Sequence, residues 1–153
     1  METLSTLEIN KVLGENPVTK RYFIGTYPSC LTPRTRKKKY AFITNTDDHN
    51  LPGRHWCAWF VDEQRISFYD SYGRSWDDPT LPEHYKDIVK SFKRISYSNT
   101  RVQSWASNAC GYFCIHFIYL KALGLDYEYF LNEYSTRFER NEDIVYEFYK
   151  SIQ

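Results

Sequence analysis

The chain has 153 residues, 25% of them charged, and a formal net charge of +1. That length suffices for one domain with a sizeable core, the charged fraction argues against disorder, and the near-neutral balance leaves no global field to pull the protein onto nucleic acid or membrane. Aromatic residues reach 18%, with 14 Tyr and 10 Phe, so the core should be aromatic and its Tyr hydroxyls should need partners.

The opening METLSTLEIN has neither the basic nor the apolar region of a signal peptide. Ser5 and Glu8 form a capping box, which predicts a helix over 5–13 closed by Gly14, with Leu7, Val12 and Leu13 on its apolar side. Residues 22–24 read as a short strand ending at Gly25. A loop from Pro28 to Lys39 carries the basic run RTRKKK, and a strand follows over 40–44. HWCAWFVDEQRISFYDSYG then reads as a hairpin, with runs at 56–61 and 65–70 flanking a turn at Asp62-Glu63-Gln64. Apolar side chains on both faces mark these as central strands. Thr80 and Glu83 make a second capping box, predicting a helix over 81–92. A strand at 94–98, a polar loop and a core helix over SNACGYFCIHFIYL, ending at Gly124, come next. Amphipathic helices near 126–135 and 141–151 close the chain. The longest apolar run is too short to span a bilayer, so no membrane contact is expected. With no repeat or linker, residues 1–153 read as a single α+β domain, a mixed central sheet packed against the core helix.

The chemistry centres on that helix. Asn108 as N-cap puts Cys110 in the first turn, where the helix dipole stabilises a thiolate. Gly111 leaves room for a substrate backbone. The four cysteines, Cys30, Cys57, Cys110 and Cys114, make no C-x-x-C pair and no dense disulfide framework, as expected of a soluble protein in a reducing compartment. Taken alone, Cys110 is better explained as a buried structural cysteine.

A thiolate nucleophile needs a base, and the base an orienter. His116 lies in the apolar helix and suits a satisfied core role; His84 falls on a solvated helix face and His49 in a polar loop. His55 stands at the mouth of a central strand. If Asp62-Glu63 is the turn, residue i faces residue 125 − i, and His55 faces Asp70. Directly opposed side chains lie about 4.5–5.5 Å apart at Cβ, close enough for a carboxylate to orient an imidazole. Gln103, in the loop feeding the helix, could donate to an oxyanion beside the Cys110 amide. Two other readings use the same residues differently. His55, Cys57, Cys110 and Cys114 could form a structural zinc site. Alternatively, Arg34, Arg36, Lys37, Lys38 and Lys39 could contact phosphates in a non-enzymatic nucleic-acid-binding module.

Four ordered motifs then carry a resemblance: YFIGTYP at 22–28, FITNTDDHNLPGRHWCAWF at 42–60, FYDSYG at 68–73 and Gln103 followed by SNACGYFCIHFI at 107–118. Together they resemble the adenovirus-type maturation proteases, the adenains, over roughly residues 5–120. That family shares a cysteine-peptidase clan with the SUMO-specific proteases. The resemblance implies Cys110 as nucleophile, His55 as general base and acid, Asp70 as orienter and Gln103 as oxyanion donor, with Trp56 packed beside the site and no cofactor or metal. It implies an endopeptidase that cuts viral or virus-like-element capsid or core precursors beside Gly or small residues, in the virion and the host-cell interior. An isopeptidase acting on ubiquitin or SUMO conjugates, from the same clan, is the alternative. Asp70 stands where adenain has Glu, a change the clan accepts and that costs little, whereas KSFKRISYSNTRVQ lacks the cysteine through which adenain is covalently activated. A non-covalent activating peptide, weak or no DNA binding through the 34–39 run, and a monomer are the corresponding expectations.

Overall fold

The computed structural model describes residues 2–46 and 55–153. His49 lies outside the described residues. The elements run α1 (Thr6–Glu15), β1 (Phe23–Tyr27), β2 (Lys39–Asn45), β3 (Trp56–Asp62), β4 (Arg65–Tyr69), α2 (Tyr85–Val89), β5 (Arg94–Tyr97), α3 (Cys110–Ala122), α4 (Tyr127–Leu131) and α5 (Phe138–Ser151). Among the described residues, the strands form one sheet in the order β1-β2-β3-β4-β5. Its two outer pairs, β1–β2 and β4–β5, are parallel; the two inner pairs are antiparallel. This is the mixed sheet of an α+β fold.

The alternation of β3 explains why both faces are covered. Trp56, Ala58 and Phe60 point into one core with α3, while Cys57, Trp59 and Val61 point into a second core with Tyr85, Ile88 and Val89 of α2. A strand apolar on both faces needs a helix on each, and the sequence supplies them on opposite sides. Burying aromatic residues leaves polar atoms to satisfy. The Trp59 indole donates to Thr44 Oγ1 at 3.0 Å, and that hydroxyl pairs with Tyr85 OH at 2.7 Å.

Several local expectations needed correction. The Ser5–Glu8 capping box forms, but α1 continues through Gly14 to Glu15. Its buried residues are Ile9 and Leu13, and Leu7 is 81% exposed. Strand β1 runs on through Gly25 to Tyr27, using glycine's freedom at φ 136° where the pairing with β2 shifts register. The second capping box does not form: Thr80 bonds Asp78 Oδ1 instead, and i→i+3 bonds from Tyr85, Lys86 and Asp87 tighten the chain before a short α2. Gly124 closes α3 at φ 87°, as its position past the apolar run predicts. Among the described residues no helix is long and apolar enough to cross a membrane.

His116 of α3 is a buried core residue whose Nδ1 bonds the Tyr134 hydroxyl. Burial lowers its pKa from 6.5 to about 4. The unfolded chain therefore takes up a proton that the folded chain refuses between those values. Stability from this residue is lost as pH falls from about 6.5 towards 4, by up to about 3 kcal/mol. Urea unfolding at pH 7 and pH 4.5 should show that loss, and His116→Gln should flatten it. An unchanged slope in the variant would place the acid sensitivity elsewhere.

Candidate active site

The hairpin β3–β4 sets the geometry. Asp62 pairs with Arg65, so the two-residue turn is Glu63-Gln64, not Asp62-Glu63. The physical reason lies at Glu63, which takes up the left-handed conformation at φ 57° that such a turn needs. Extending this register puts Tyr72 across from His55 and Cys57 across from Asp70. A shift of two keeps every side chain on its face, so His55 and Asp70 still meet, diagonally, at the mouth of the two strands. His55 Nε2 lies 2.6 Å from Asp70 Oδ1.

Asp70 is wholly buried and, among the described residues, accepts three bonds. Besides His55, the Tyr72 amide donates to Oδ1 at 3.1 Å and Arg74 Nε donates to Oδ2 at 2.6 Å. Burial alone would raise its pKa, but His55 and Arg74 overcome this and hold the carboxyl below its ordinary value. His55 shows the converse balance. Burial pushes its pKa down, yet bonds to Asp70, Cys110 and Cys57 keep it well above that of an ordinary histidine. The imidazole is thus poised to carry a positive charge between a carboxylate and a thiol.

Cys110 opens α3. The N-cap is Ala109, not Asn108, because the Phe113 amide bonds the Ala109 carbonyl and so starts the helix there. Cys110 is then the first helical residue, at the positive end of a 13-residue helix. Ser107 Oγ accepts from the Ala109 amide at 3.0 Å and shapes the entry. Gly111 has a different task from the one its position suggests. A Cβ there would lie 3.3–3.4 Å from Leu4 and 3.5 Å from Ile9, so the glycine makes room for the N-terminal segment packed behind the helix.

Gln103 is fully buried in the loop that leads into α3. Its Oε1 accepts from Ser71 Oγ and its Nε2 donates to the Ser107 carbonyl at 3.1 Å. An amide nitrogen carries two N–H groups, so among the described residues one remains for a further acceptor. The loop is tied to the Asp70 turn, because the Val102 and Gln103 amides both donate to Ser71 O. Gly73 permits that approach. At φ 78°, a Cβ there would sit 2.8 Å from the Arg101 amide nitrogen. Asn141 of α5 holds the loop from behind by donating to the Val102 carbonyl at 3.0 Å.

The four predicted site residues are therefore brought to one locus. Other expected roles are not assembled. Cys114 donates to the Trp56 carbonyl at 3.3 Å within the α3-side core, so the four-ligand zinc set does not form; His55, Cys57 and Asp70 instead bring ligand atoms within 4.8 Å of one another. Arg74 on Asp70 opposes a cation there. Trp56 is buried next to His55, its indole N–H without a partner among the described residues. His84 bonds Thr32 Oγ1 at 2.7 Å. Arg34, Arg36, Lys37 and Lys38 are exposed, and Lys39 begins β2 with its Nζ 5.1 Å from the centre of the Tyr22 ring. Sequence reasoning missed Ser71, Tyr72, Arg74 and Trp105. The first three lie within four residues of Asp70, and that adjacency was the available signal.

The fold is that of solved proteases. The chain superposes on the crystal structure of the ASFV pS273R protease with a TM-score of 0.66 and 19% identity, over 98% of this chain and 67% of that one. A second structure of the same protease, with selenomethionine, gives a TM-score of 0.54 and 22% identity over 75% of this chain and 44% of that one. ChlaDub1 from Chlamydia trachomatis matches with a TM-score of 0.54 and 16% identity, over 76% of this chain and 61% of that one. The chain thus spans about two thirds or less of the length of these structures. No protein-family model and no curated protein matches the sequence.

The cysteines differ in environment. Burial raises the thiol pKa of Cys57 and, further, that of Cys114, whereas Cys110 touches the His55 ring at a helix start. Iodoacetamide at neutral pH should label Cys110 first, Cys30 at the rate of an ordinary exposed thiol, and Cys57 and Cys114 only on unfolding. Peptide mapping that finds Cys30 or Cys57 modified ahead of Cys110 would contradict this.

Proposed function

We propose that the protein is a cysteine peptidase of the SUMO-protease clan. The observation that carries this reading is the continuous chain of bonds from Asp70 through His55 to Cys110 at the start of α3. Its likeness in fold to the ASFV protease supports the class. Cys110 serves as nucleophile and His55 as base and acid. Asp70 holds the imidazole ring and stabilises its charge, and Gln103 acts with the Cys110 amide on the oxyanion.

The steps follow from the proton positions. His55 takes the Cys110 thiol proton as the nucleophile forms, and Asp70 balances the positive charge that the imidazole then carries. The thiolate attacks the scissile carbonyl, and the oxygen that gains charge is met by a Gln103 N–H and the Cys110 amide. His55 then delivers its proton to the leaving amine as the C–N bond breaks, giving a thioester on Cys110. Water, deprotonated by His55, attacks the thioester and releases the acid product and the thiol. Arg74 keeps Asp70 ionised and occupies its second oxygen, leaving Oδ1 for the imidazole.

The adenain resemblance, together with the likeness in fold to the ASFV protease, supports capsid or core precursor proteins as substrates, cut beside Gly or small residues within the virion or host cell. The likeness to ChlaDub1 supports isopeptidase activity on ubiquitin or SUMO conjugates as the second reading. Mass spectrometry of cut sites in co-expressed precursors, set against a panel of ubiquitin-like probes, separates the two. In either assay, Cys110→Ala should lower turnover by about 10³-fold or more. A variant that retains turnover would refute the nucleophile.

Gln103→Ala should cost about 10²–10³ in kcat with little change in KM, because the donor acts on charge present only in the transition state. Gln103→Glu should be at least as damaging. It removes the donor and turns an acceptor oxygen towards the Ser107 carbonyl that Nε2 now serves. Cys110 alkylation should survive in both variants. Near-wild-type kcat in Gln103→Glu would rule out the oxyanion role.

A further inference from the structure

Beyond the four residues, three rings form a continuous stack that leads from the site to the surface. The His55 and Tyr72 ring centroids are 4.5 Å apart with planes 17° apart, and Tyr72 and Trp105 follow at 4.4 Å and 29°. Arg74, already bonded to Asp70, lies 5.4 Å from the Tyr72 ring centre. Arg101 lies 4.8 Å from Trp105 and 4.3 Å from Phe138 of α5, joining the outer ring to the body of the protein. Trp105 is 60% exposed, although the rings behind it are buried or half-buried.

Tyr72 touches both members of the ion pair. Its amide donates to Asp70 Oδ1 and its ring covers one face of the imidazole. Hydrogen bonds at the imidazole nitrogens, to Asp70 and the cysteine thiols, act in the plane of the ring. A flat neighbour on one face resists tilting out of that plane and also favours the charged imidazolium. Trp105 lies between Gln103 and Cys110 in sequence, in the loop that feeds α3, and its exposed ring is joined to the His55 imidazole through Tyr72.

We infer that Tyr72 is a positioning residue for His55, and that Trp105 braces it while contacting the polypeptide substrate beside the scissile bond. The inference rests on the peptidase reading for its substrate, but its effect on the imidazole can be read without one. An aromatic shelf of this kind would take an extended peptide segment by apolar contact, with no demand on sequence from hydrogen bonds.

The test uses the full chain with Tyr72→Leu, Tyr72→Phe, Trp105→Ala and Cys110→Ala. Labelled casein is the substrate and iodoacetamide the probe of Cys110. Tyr72→Leu should lower kcat by about 10²-fold, the scale of a misplaced catalytic group, and slow alkylation of Cys110, while Tyr72→Phe restores both. Trp105→Ala should raise KM by about tenfold with a smaller effect on kcat. Melting temperatures separate these effects from unfolding. Losses that merely follow melting temperature, or Tyr72→Leu and Trp105→Ala within twofold of wild type while Cys110→Ala is dead, would overturn the inference. If the chain does not cut casein, or if Cys110→Ala still does, the substrate or nucleophile reading has failed. Alkylation then decides the positioning role: slow in Tyr72→Leu and normal in Tyr72→Phe supports it, and equal rates refute it.

Discussion

A carboxylate with no exposed surface governs this structure. Removing a charge from water costs several kcal/mol, so Asp70 can stay ionised only if donors are already in place around it. Among the described residues there are three, one from a strand mouth and two from a single turn. His55 comes from the mouth of β3, the Tyr72 amide from the turn after β4, and Arg74 from the same turn one step further on. Loss of any one would leave the charge under-compensated, which couples the hairpin register, the Gly73 turn and the histidine into one requirement.

That requirement reaches the helix through the loop before it. Ser71 bonds Gln103 with both its carbonyl and its hydroxyl, and Gln103 bonds Ser107, two residues before the N-cap of α3. The segment carrying the carboxylate and the segment delivering the thiol are therefore one hydrogen-bonded unit. Leu4 and Ile9 fill the space behind Gly111, so the N-terminal segment steadies the start of the same helix. Cys57, Cys110 and Cys114 lie close together in the fold, yet their surroundings separate them. Two are pressed towards inert thiols by burial, and the third meets an imidazole and a helix dipole.

Much of the site was legible in the sequence because its chemistry is local. A cysteine-glycine pair ahead of an apolar run marks a helix start, and a histidine before a strand and an aspartate after the next mark a shared mouth. The hairpin turn was misplaced by one residue, yet the pair survived because the register error was two and strand faces repeat every two. Leu7 and the Thr80–Glu83 signal misled for a common reason. Local pattern names a helix, but packing decides which face is buried and how long the helix lasts.

The sequence by itself determined the α+β order, the central strands, the core helix and the residues His55, Asp70, Gln103 and Cys110 as candidates. The elements rest on periodicity, capping and spacing, which act over a few residues, and the four candidates rest also on the resemblance to the adenains. Only the tertiary structure decided that Arg74 shares Asp70, that Gly111 accommodates Leu4, and that Tyr72 and Trp105 stack outward from His55. Each of those depends on how separate segments meet, or on where side chains turn once packed. Contacts of that kind are set by burial of the whole core, and no short stretch of residues carries them.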